Sequence, residues 1–135
     1  CFLFVLSCLC AGGSLAAEIA VPPDVVLERG VDYSSIPHGK LAMDIARPKA
    51  PGRYPGIVLI HGGGFSGGNR EGYLATAIRL AQHGYVAITV TYRLAPMYQF
   101  PAAVLDCKTA VRWLRAHAAE YHRARQHAGA ILALG

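Results

Sequence analysis

The stretch GIVLIHGGGFSGGNREGY occupies residues 56–73 and joins an apolar run to a loop rich in glycine. The run at residues 56–60 contains valine and isoleucine between turn-forming residues, which is typical of a strand buried on both faces of a parallel sheet. Glycine gives the loop unusual backbone freedom. Either the loop backbone comes close to a ligand, or the loop is a flexible connector.

Strands and helices alternate around this stretch. The predicted elements are strands at 25–33, 41–46 and 56–60, a helix at 73–83, a strand at 85–92, a helix from about 102 to 121 and a strand at 129–135. The first two strands form a hairpin with a turn at residues 37–40. Gly84 suits the end of the first helix and Pro101 the start of the second. This order predicts an α/β domain in which a strand hairpin precedes β-α-β-α-β with a mainly parallel sheet and right-handed crossovers.

One stripe of the second helix is predicted to be buried. Its apolar members are Val104, Cys107, Val111, Leu114, Ala118 and Tyr121. Cys107 is predicted to pack as a small hydrophobic residue, since a lone thiol on a helix is rarely a nucleophile. Trp113 lies one position from the stripe and is also predicted to pack.

The composition is that of a folded domain without a nucleic-acid function. The chain has 135 residues, 53% of them hydrophobic and 16% charged, with a formal net charge of +5. These values predict at most one domain and exclude a disordered chain. The basic residues after position 106 lack the interleaved aromatic residues of single-strand binders, so a solvated helix face is predicted instead.

The first residues resemble an export signal. Residues 1–16 are apolar and end in small residues, which predicts cleavage after Ala16, with Ala17 as the alternative. The initiator methionine and a basic start are missing, so the signal is interpreted as truncated. The box VLSC offers a lipoprotein anchor at Cys8 as a weaker alternative. We therefore expect an exported protein in which residues 17–27 form a linker and residues 28–135 a partial domain.

Two chemistries use a glycine-rich loop after a parallel strand, and the first is phosphate binding. Residues 62–67, GGGFSG, formally match the dinucleotide fingerprint, but no acidic residue lies between Glu71 and Asp106, where the fold would need one. The phosphate-binding loop also fails, because residues 67–69 are Gly-Gly-Asn where Gly-Lys-Ser/Thr is required. The second chemistry is acyl transfer, in which glycine N–H groups stabilise an oxyanion. His-Gly-Gly-Gly after a strand is typical of that chemistry.

Three segments then carry a resemblance to a family. HGGGFSGGNR at residues 61–70, YRLAP at 92–96 and FPAAVLDCKTAVRWLR at 100–115 resemble the α/β-hydrolase esterases. The hormone-sensitive-lipase-like and feruloyl/acetyl-esterase-like branches are the most similar. The resemblance covers about residues 28–122 and implies the N-terminal half of an α/β-hydrolase fold.

The resemblance assigns roles to the loop. It implies that the backbone N–H groups of Gly63 and Gly64 form part of the oxyanion hole, and that a third N–H comes from the residue after the nucleophile. His61 and Gly62 are expected to support the loop. His61 is not expected to be the catalytic base, because the family's triad histidine comes last in the chain.

Other polar residues of these segments are predicted to be structural. Asp106 near the start of the second helix suits the helix dipole and is not expected to be the triad acid. Tyr92 and Arg93 are predicted to anchor the loop that follows their strand.

The catalytic triad is missing from this sequence. Serine occurs at positions 7, 14, 34, 35 and 66. No acidic residue follows Glu120, and the later histidines are His122 and His127. This chain alone is therefore not expected to hydrolyse esters. Either the sequence stops as the nucleophile strand reaches its elbow near Gly135, or the reading frame changes after His122.

The resulting hypothesis is part of an exported serine ester hydrolase. Its expected substrate is a small-molecule or carbohydrate-linked ester, and no cofactor, metal or nucleic acid is expected. Two alternatives stay open: a peptidase or formamidase on the same fold, and a non-catalytic relative that binds ligands or partners. The residue at the elbow distinguishes an enzyme from the binding relative, since serine favours the enzyme and glycine or alanine the binder.

Overall fold

The computed structural model describes residues 19–37 and 39–121, and the backbone of the strand at 123–134. The predicted signal segment, with Cys8 and the cleavage site, lies outside the described residues. The elements are β1 (Val25–Ile36), β2 (Gly39–Pro48), β3 (Tyr54–His61), a 3-10 turn (Arg70–Tyr73), α1 (Leu74–Gln82), β4 (Val86–Val90), α2 (Ala102–Ala116) and β5 (Arg123–Leu134). Within these ranges, no helix is long and apolar enough to cross a membrane.

The five strands form one mixed sheet in the order β1-β2-β4-β3-β5. β1 and β2 are an antiparallel hairpin, and β2 also pairs antiparallel with β4. β3 runs parallel to both β4 and β5. The predicted hairpin followed by β-α-β-α-β is therefore confirmed. The position of β3 between two strands explains its apolar run, because both faces of an interior parallel strand are covered.

The two helices lie on opposite faces of the sheet. Ile57 and Leu59 of β3 pack in a core cluster with α1, whereas Val58 between them packs in a cluster with α2. Side chains alternate between faces along a strand, so one short run supplies both cores. The α1 connection leads from β3 to β4 and the α2 connection leads back past β3 to β5. Two crossovers of the same hand in opposite directions place their helices on opposite faces.

Helix α2 is shorter than predicted and is rotated. It ends at Ala116, and residues 117–121 form turns. Its buried residues are Ala102, Asp106, Ala110, Val111 and Leu114, while Val104 is 39% exposed and Cys107 half-buried. The predicted stripe was wrong at Val104 because the sequence pattern counted only apolar residues. The carboxylate of Asp106 is turned inward by an ion pair, and this sets the buried face.

The edges of the sheet also extend beyond the predictions. β1 begins at Val25, so the sheet takes in the last three residues of the predicted linker at 17–27. β5 begins at Arg123, where a strand was predicted only from residue 129. Backbone pairing of Tyr54 with Arg123 and of Gly56 with Ala128 draws the earlier residues of β5 into the sheet, with irregular register. Such pairing depends on the partner strand and not on the local side-chain pattern.

Candidate active site

The glycine loop, residues 62–69, leaves the carboxyl end of β3 and leads into the 3-10 turn Arg70–Tyr73. In open α/β sheets, ligands bind outside the carboxyl ends of the strands. Gly63 and Gly64 are exposed at this edge. The loop therefore presents its backbone where a ligand would bind.

Position 63 must be glycine because Gly63 lies close to other backbone atoms of the same loop. Its carbonyl oxygen accepts hydrogen bonds from the N–H groups of Ser66 and Gly67, both at 3.1 Å, and from Ser66 Oγ at 3.2 Å. A Cβ atom built on Gly63 would lie 2.4 Å from the carbonyl oxygen of Gly67, and the φ angle of Gly63 is +118°. Any side chain at this position would displace the backbone of the loop.

The N–H groups of Gly63 and Gly64 make no hydrogen bond within the part of the chain that the structure describes. Gly64 and Phe65 follow with φ angles of 60° and 61°, in the left-handed region. The carbonyl oxygen of Phe65 accepts a hydrogen bond of 2.8 Å from the N–H of Ala95, in the loop after β4. Carbonyl groups of the loop are thus bonded within the protein, while two of its N–H groups remain available to a ligand.

His61 lies at the base of the loop. It is 5% exposed, and its ring stacks on Tyr92 with 4.2 Å between centroids. Its Nδ1 donates a 2.9 Å hydrogen bond to the carbonyl of Gly62. A Cβ atom on Gly68 would lie 2.4 Å from this same Nδ1, so the loop folds back over the ring. These contacts are those of a residue that supports the loop.

Tyr92 ties the start of the loop to the neighbouring strand. Its hydroxyl donates a 2.6 Å hydrogen bond to the carbonyl oxygen of His61. Burial raises the pKa of this hydroxyl, which therefore remains a protonated donor. Tyr92 was predicted to anchor the loop after its own strand, whereas its contacts in the structure are with His61 and Phe65 on the side of the glycine loop.

Arg93 anchors the next loop through Asp106 of α2. Its Nη2 and Nε donate to the two carboxylate oxygens at 2.7 and 2.9 Å, and its backbone N–H donates at 3.0 Å. Asp106 is only 3% exposed. The structural role predicted for Asp106 is confirmed, but its partner is Arg93 and not the dipole of α2.

Two further residues of α2 were predicted to pack. Trp113 contacts the core, and its ring stacks on His117 at 3.8 Å between centroids. The Cys107 thiol is half-buried, and burial together with the charge of Asp106 raises its pKa to about 11. A thiol with so high a pKa is not an activated nucleophile, in agreement with the packing role predicted for it.

Two apolar hollows flank Phe65, whose side chain is 59% exposed. The larger, of about 460 Å³, is bounded by Ile60 and one side of α2, including Val104. The smaller, of about 100 Å³, lies towards Tyr98 and Phe100 in the loop after β4. A ligand held by the N–H groups of the loop would therefore have an apolar surface beside it.

The sequence reasoning missed a charged cluster on the other side of the loop. Asp44 of β2 is fully buried and accepts hydrogen bonds from Arg70 Nε at 3.1 Å and from the N–H of Gly30 at 2.8 Å. Arg70 Nη1 donates to Thr91 Oγ1 at 3.1 Å. A signal was present, because an acidic residue stands in the middle of the apolar strand LAMDIA. Its partner could not be identified, since it lies 26 residues further along the chain.

The described residues contain no strand-to-helix elbow that carries a serine. Ser34 and Ser35 lie in β1. Ser66 lies on the glycine loop, where its hydroxyl is hydrogen-bonded to the carbonyl of Gly63. None of the three has the position of the nucleophile that the resemblance implies.

A sheet of this strand order, with a glycine-rich loop at the carboxyl end of β3, is that of the α/β-hydrolase fold. The model of the BD-FAE family matches residues 43–131, and the chain belongs to this family. The match begins at Met43 in β2 and ends within β5.

Individual relatives agree with this assignment. The chain is 40% identical to Esterase LipC of Mycobacterium tuberculosis over 65 residues, which cover 47% of this chain and 16% of LipC. It is 29% identical to Carboxylesterase NlhH of the same organism over 109 residues, which cover 76% of this chain and 34% of NlhH. The chain thus spans about a third or less of these relatives.

Solved structures show the same fold. A bacterial heroin esterase matches with a TM-score of 0.73 and 28% identity over 87% of this chain and 37% of that protein. Esterase 2 of Thermogutta terrifontis matches with a TM-score of 0.68 and 28% identity over 82% of this chain and 39% of that protein.

Proposed function

We propose that this chain supplies the oxyanion-binding part of a serine carboxylic-ester hydrolase. The observation that carries the proposal is the state of the N–H groups of Gly63 and Gly64. Both are exposed and unbonded within the described residues, on a loop whose carbonyl groups are bonded elsewhere. Family membership and the esterase relatives support the reaction class.

The proposed chemistry places the ester carbonyl oxygen against these two N–H groups. A serine oxygen adds to the carbonyl carbon while its proton passes to a histidine, and the carbonyl oxygen becomes an oxyanion. Gly63 and Gly64 stabilise that charge without reorganising. The oxyanion then collapses, the alcohol leaves with the proton, and water releases the acid by the same steps. The serine, histidine and acid are proposed to come from the part of the whole protein that this chain does not cover.

The proposed substrate is a small-molecule or carbohydrate-linked ester. Phe65 stands next to Gly64 and between the two apolar hollows, so an apolar group of the ester is placed against its ring. Burial of such a group supplies binding energy in proportion to its apolar area.

The test is a substitution at Gly63 in the protein encoded by the complete gene. Gly63→Val forces a Cβ atom into the carbonyl of Gly67 and moves the oxyanion-binding N–H groups. We expect kcat for p-nitrophenyl acetate to fall by about 10²–10³-fold, as when one oxyanion donor is lost. Folding is checked by circular dichroism and by the unfolding midpoint.

Gly72→Ala is the matched control. Gly72 lies just after the loop, and a Cβ atom there would be 3.8 Å from its nearest neighbour, Asn69 Oδ1, which is ordinary contact. This variant should keep wild-type turnover. A folded Gly63→Val variant with wild-type kcat would contradict the oxyanion assignment. Wild-type turnover of amide but not ester substrates would assign a peptidase or formamidase instead, and the absence of both activities would favour a binding protein.

A further inference from the structure

Both ends of the glycine loop are tied to the same point of the sheet. At the start, Tyr92 Oη donates to the carbonyl of His61 at 2.6 Å. At the far end, Arg70 Nη1 donates to Thr91 Oγ1 at 3.1 Å. Thr91 and Tyr92 are consecutive residues directly after β4. The loop therefore departs from β3 and is fastened twice to the end of β4.

The guanidinium of Arg70 contacts three groups, two of which are distant in sequence. Besides Thr91, it contacts Asp44 Oδ1 through Nε at 3.1 Å and Glu71 Oε1 through Nη2 at 3.3 Å. The planar fork of arginine holds several acceptors in fixed directions, which the single ammonium of lysine cannot do. Arg70 is itself 22% exposed, so most of its side chain is enclosed by these contacts.

Asp44 is an immobile partner for the guanidinium of Arg70. The carboxylate is wholly buried in β2, and the N–H of Gly30 donates to its Oδ1 at 2.8 Å. Arg29 Nε lies 3.5 Å from Oδ2. A buried carboxylate is held strongly to its cationic partners because an unpaired charge in the interior is unfavourable. The position of Arg70 is thus determined by the sheet and not by the loop.

We propose that Arg70 is a positioning residue for the oxyanion-binding N–H groups. Five of the eight residues at 62–69 are glycine, so the loop loses much conformational entropy when it adopts one structure. Oxyanion stabilisation requires that structure to be formed before the reaction. Arg70 holds the far end of the loop against Thr91 and Asp44, and this limits the positions of Gly63 and Gly64. The catalytic consequence rests on the proposed function, whereas the positioning itself does not.

The experiment uses the protein encoded by the complete gene and three variants. Arg70→Lys keeps a positive charge for Asp44 but loses the fork. Thr91→Val removes only the hydroxyl that accepts from Arg70 and leaves the ion pair intact. Thr89→Val is the matched control, because Thr89 lies two residues earlier on the same side of β4 and its buried hydroxyl has no hydrogen-bond partner among the described residues.

Three quantities are measured for each variant. They are hydrogen exchange of the amides at 62–69, kcat and KM for p-nitrophenyl acetate, and inhibition by an alkyl trifluoromethyl ketone, which forms a tetrahedral oxyanion adduct with a serine. Exchange reports the loop directly and does not depend on activity. The inhibition constant and kcat both depend on how well the oxyanion is stabilised, whereas KM responds mainly to binding of the substrate ground state.

The fall in kcat is expected to be largest for Arg70→Lys, smaller for Thr91→Val and absent for Thr89→Val. Arg70→Lys should lower kcat by about 10–100-fold, less than the loss of an oxyanion donor, with KM within about 2-fold. Inhibition by the trifluoromethyl ketone should weaken in parallel, and the amides at 62–69 should exchange faster. Thr91→Val should show the same pattern at about 3–10-fold, less than the full value of a hydrogen bond from a charged donor, because Thr91 acts on kcat only through the position of the loop. Thr89→Val should match the wild type.

The outcomes separate the two proposals. If wild type hydrolyses neither ester nor amide, yet exchange at 62–69 is faster in Arg70→Lys and Thr91→Val alone, the proposed function fails and the positioning role stands. If both variants keep wild-type exchange and kcat, the positioning role is wrong. It is equally wrong if exchange rises throughout α1 and β4 while kcat per folded molecule is unchanged, because Arg70 would then be purely structural.

Discussion

Two loops meet at the carboxyl edge of the sheet, and each is held by a buried carboxylate paired with an arginine. Asp106 takes all three of its hydrogen bonds from one residue, Arg93, at the start of its loop. Asp44 instead collects Gly30 and Arg70 from different parts of the chain, with Arg29 nearby. The loop after β4 is therefore fixed through one residue at its start, whereas the glycine loop is fixed through contacts with two other strands of the sheet.

The difference follows from what each loop contains. The loop after β4 includes prolines at 96 and 101, which restrict the backbone and reduce the entropy lost on folding. The glycine loop has the opposite composition: Gly63 and Gly64 are exposed, and a side chain at Gly63 has no room. A loop made mostly of glycine has few side chains that can hold it in place. It therefore depends on contacts made by residues outside the loop.

The largest loss of stability is expected at Arg93. Arg93→Met removes both side-chain hydrogen bonds to Asp106 and leaves that carboxylate, only 3% exposed, with the backbone N–H of residue 93 alone. The free energy of unfolding of the complete protein, measured with urea, should fall by about 3–5 kcal/mol, as when a buried ion pair is broken. A loss below about 1 kcal/mol would show that Asp106 is readily solvated.

Arg112→Met provides the control for this change. Arg112 is exposed on α2, the helix that carries Asp106, and no ion pair is formed by it among the described residues. Surface substitutions of this kind change stability by about 0.5 kcal/mol or less. Equal effects of the two substitutions would mean that the loss of an arginine side chain in general, and not the ion pair with Asp106, accounts for the result.

A smaller effect is expected at Tyr92, which adjoins both anchors. Tyr92→Phe removes the buried 2.6 Å hydrogen bond to the carbonyl of His61 and keeps the ring that stacks on His61. The loss should be about 1–3 kcal/mol, the desolvation penalty of an unpaired buried acceptor. Urea unfolding measures it.

Tyr54→Phe is the comparison for Tyr92→Phe. The Tyr54 hydroxyl also donates to a backbone carbonyl, that of Ala50 at 3.0 Å, but this bond is exposed to solvent. Water replaces the lost partner there, so the change should stay below about 1 kcal/mol. If the two variants lose the same stability, the bond from Tyr92 does not hold the loop.

Local patterns were sufficient for the order of the elements. The β-branched run at 56–60, the helical spacing of Leu74, Ala77 and Ile78 and the turn at Gly84 each act over a few residues. Such signals survive in a single sequence because neighbouring residues alone determine them. The HGGG segment likewise identified Gly63 and Gly64, and their catalytic role stays a prediction.

Contacts between distant segments could not be predicted. The partners of Asp44 lie 14 and 26 residues away, and which ones it meets depends on the register of β1 with β2 and on a bulge at Gly30. The rotation of α2 was misjudged for the same reason, because Asp106 turns inward towards Arg93, which precedes it by 13 residues. Polar residues within apolar patterns are thus where the sequence was least informative and the structure most needed.

The smallest expected effect concerns Cys107 and the pH dependence of stability. Burial, and then the charge of Asp106, raises the pKa of this thiol in the folded protein from 9 to about 11. The folded state therefore binds more protons than the unfolded state across this interval. The stability contributed by the thiol is fully present below about pH 9 and is lost as the pH rises towards 11. The free energy of unfolding should decline over that interval, and the decline should be shallower in Cys107→Ala.

Alkylation of Cys107 by iodoacetamide should accelerate over the same pH range, because only the thiolate reacts. Rapid alkylation near neutral pH would show that the thiol is ionised and that its environment is more polar than the half-buried site on α2 suggests.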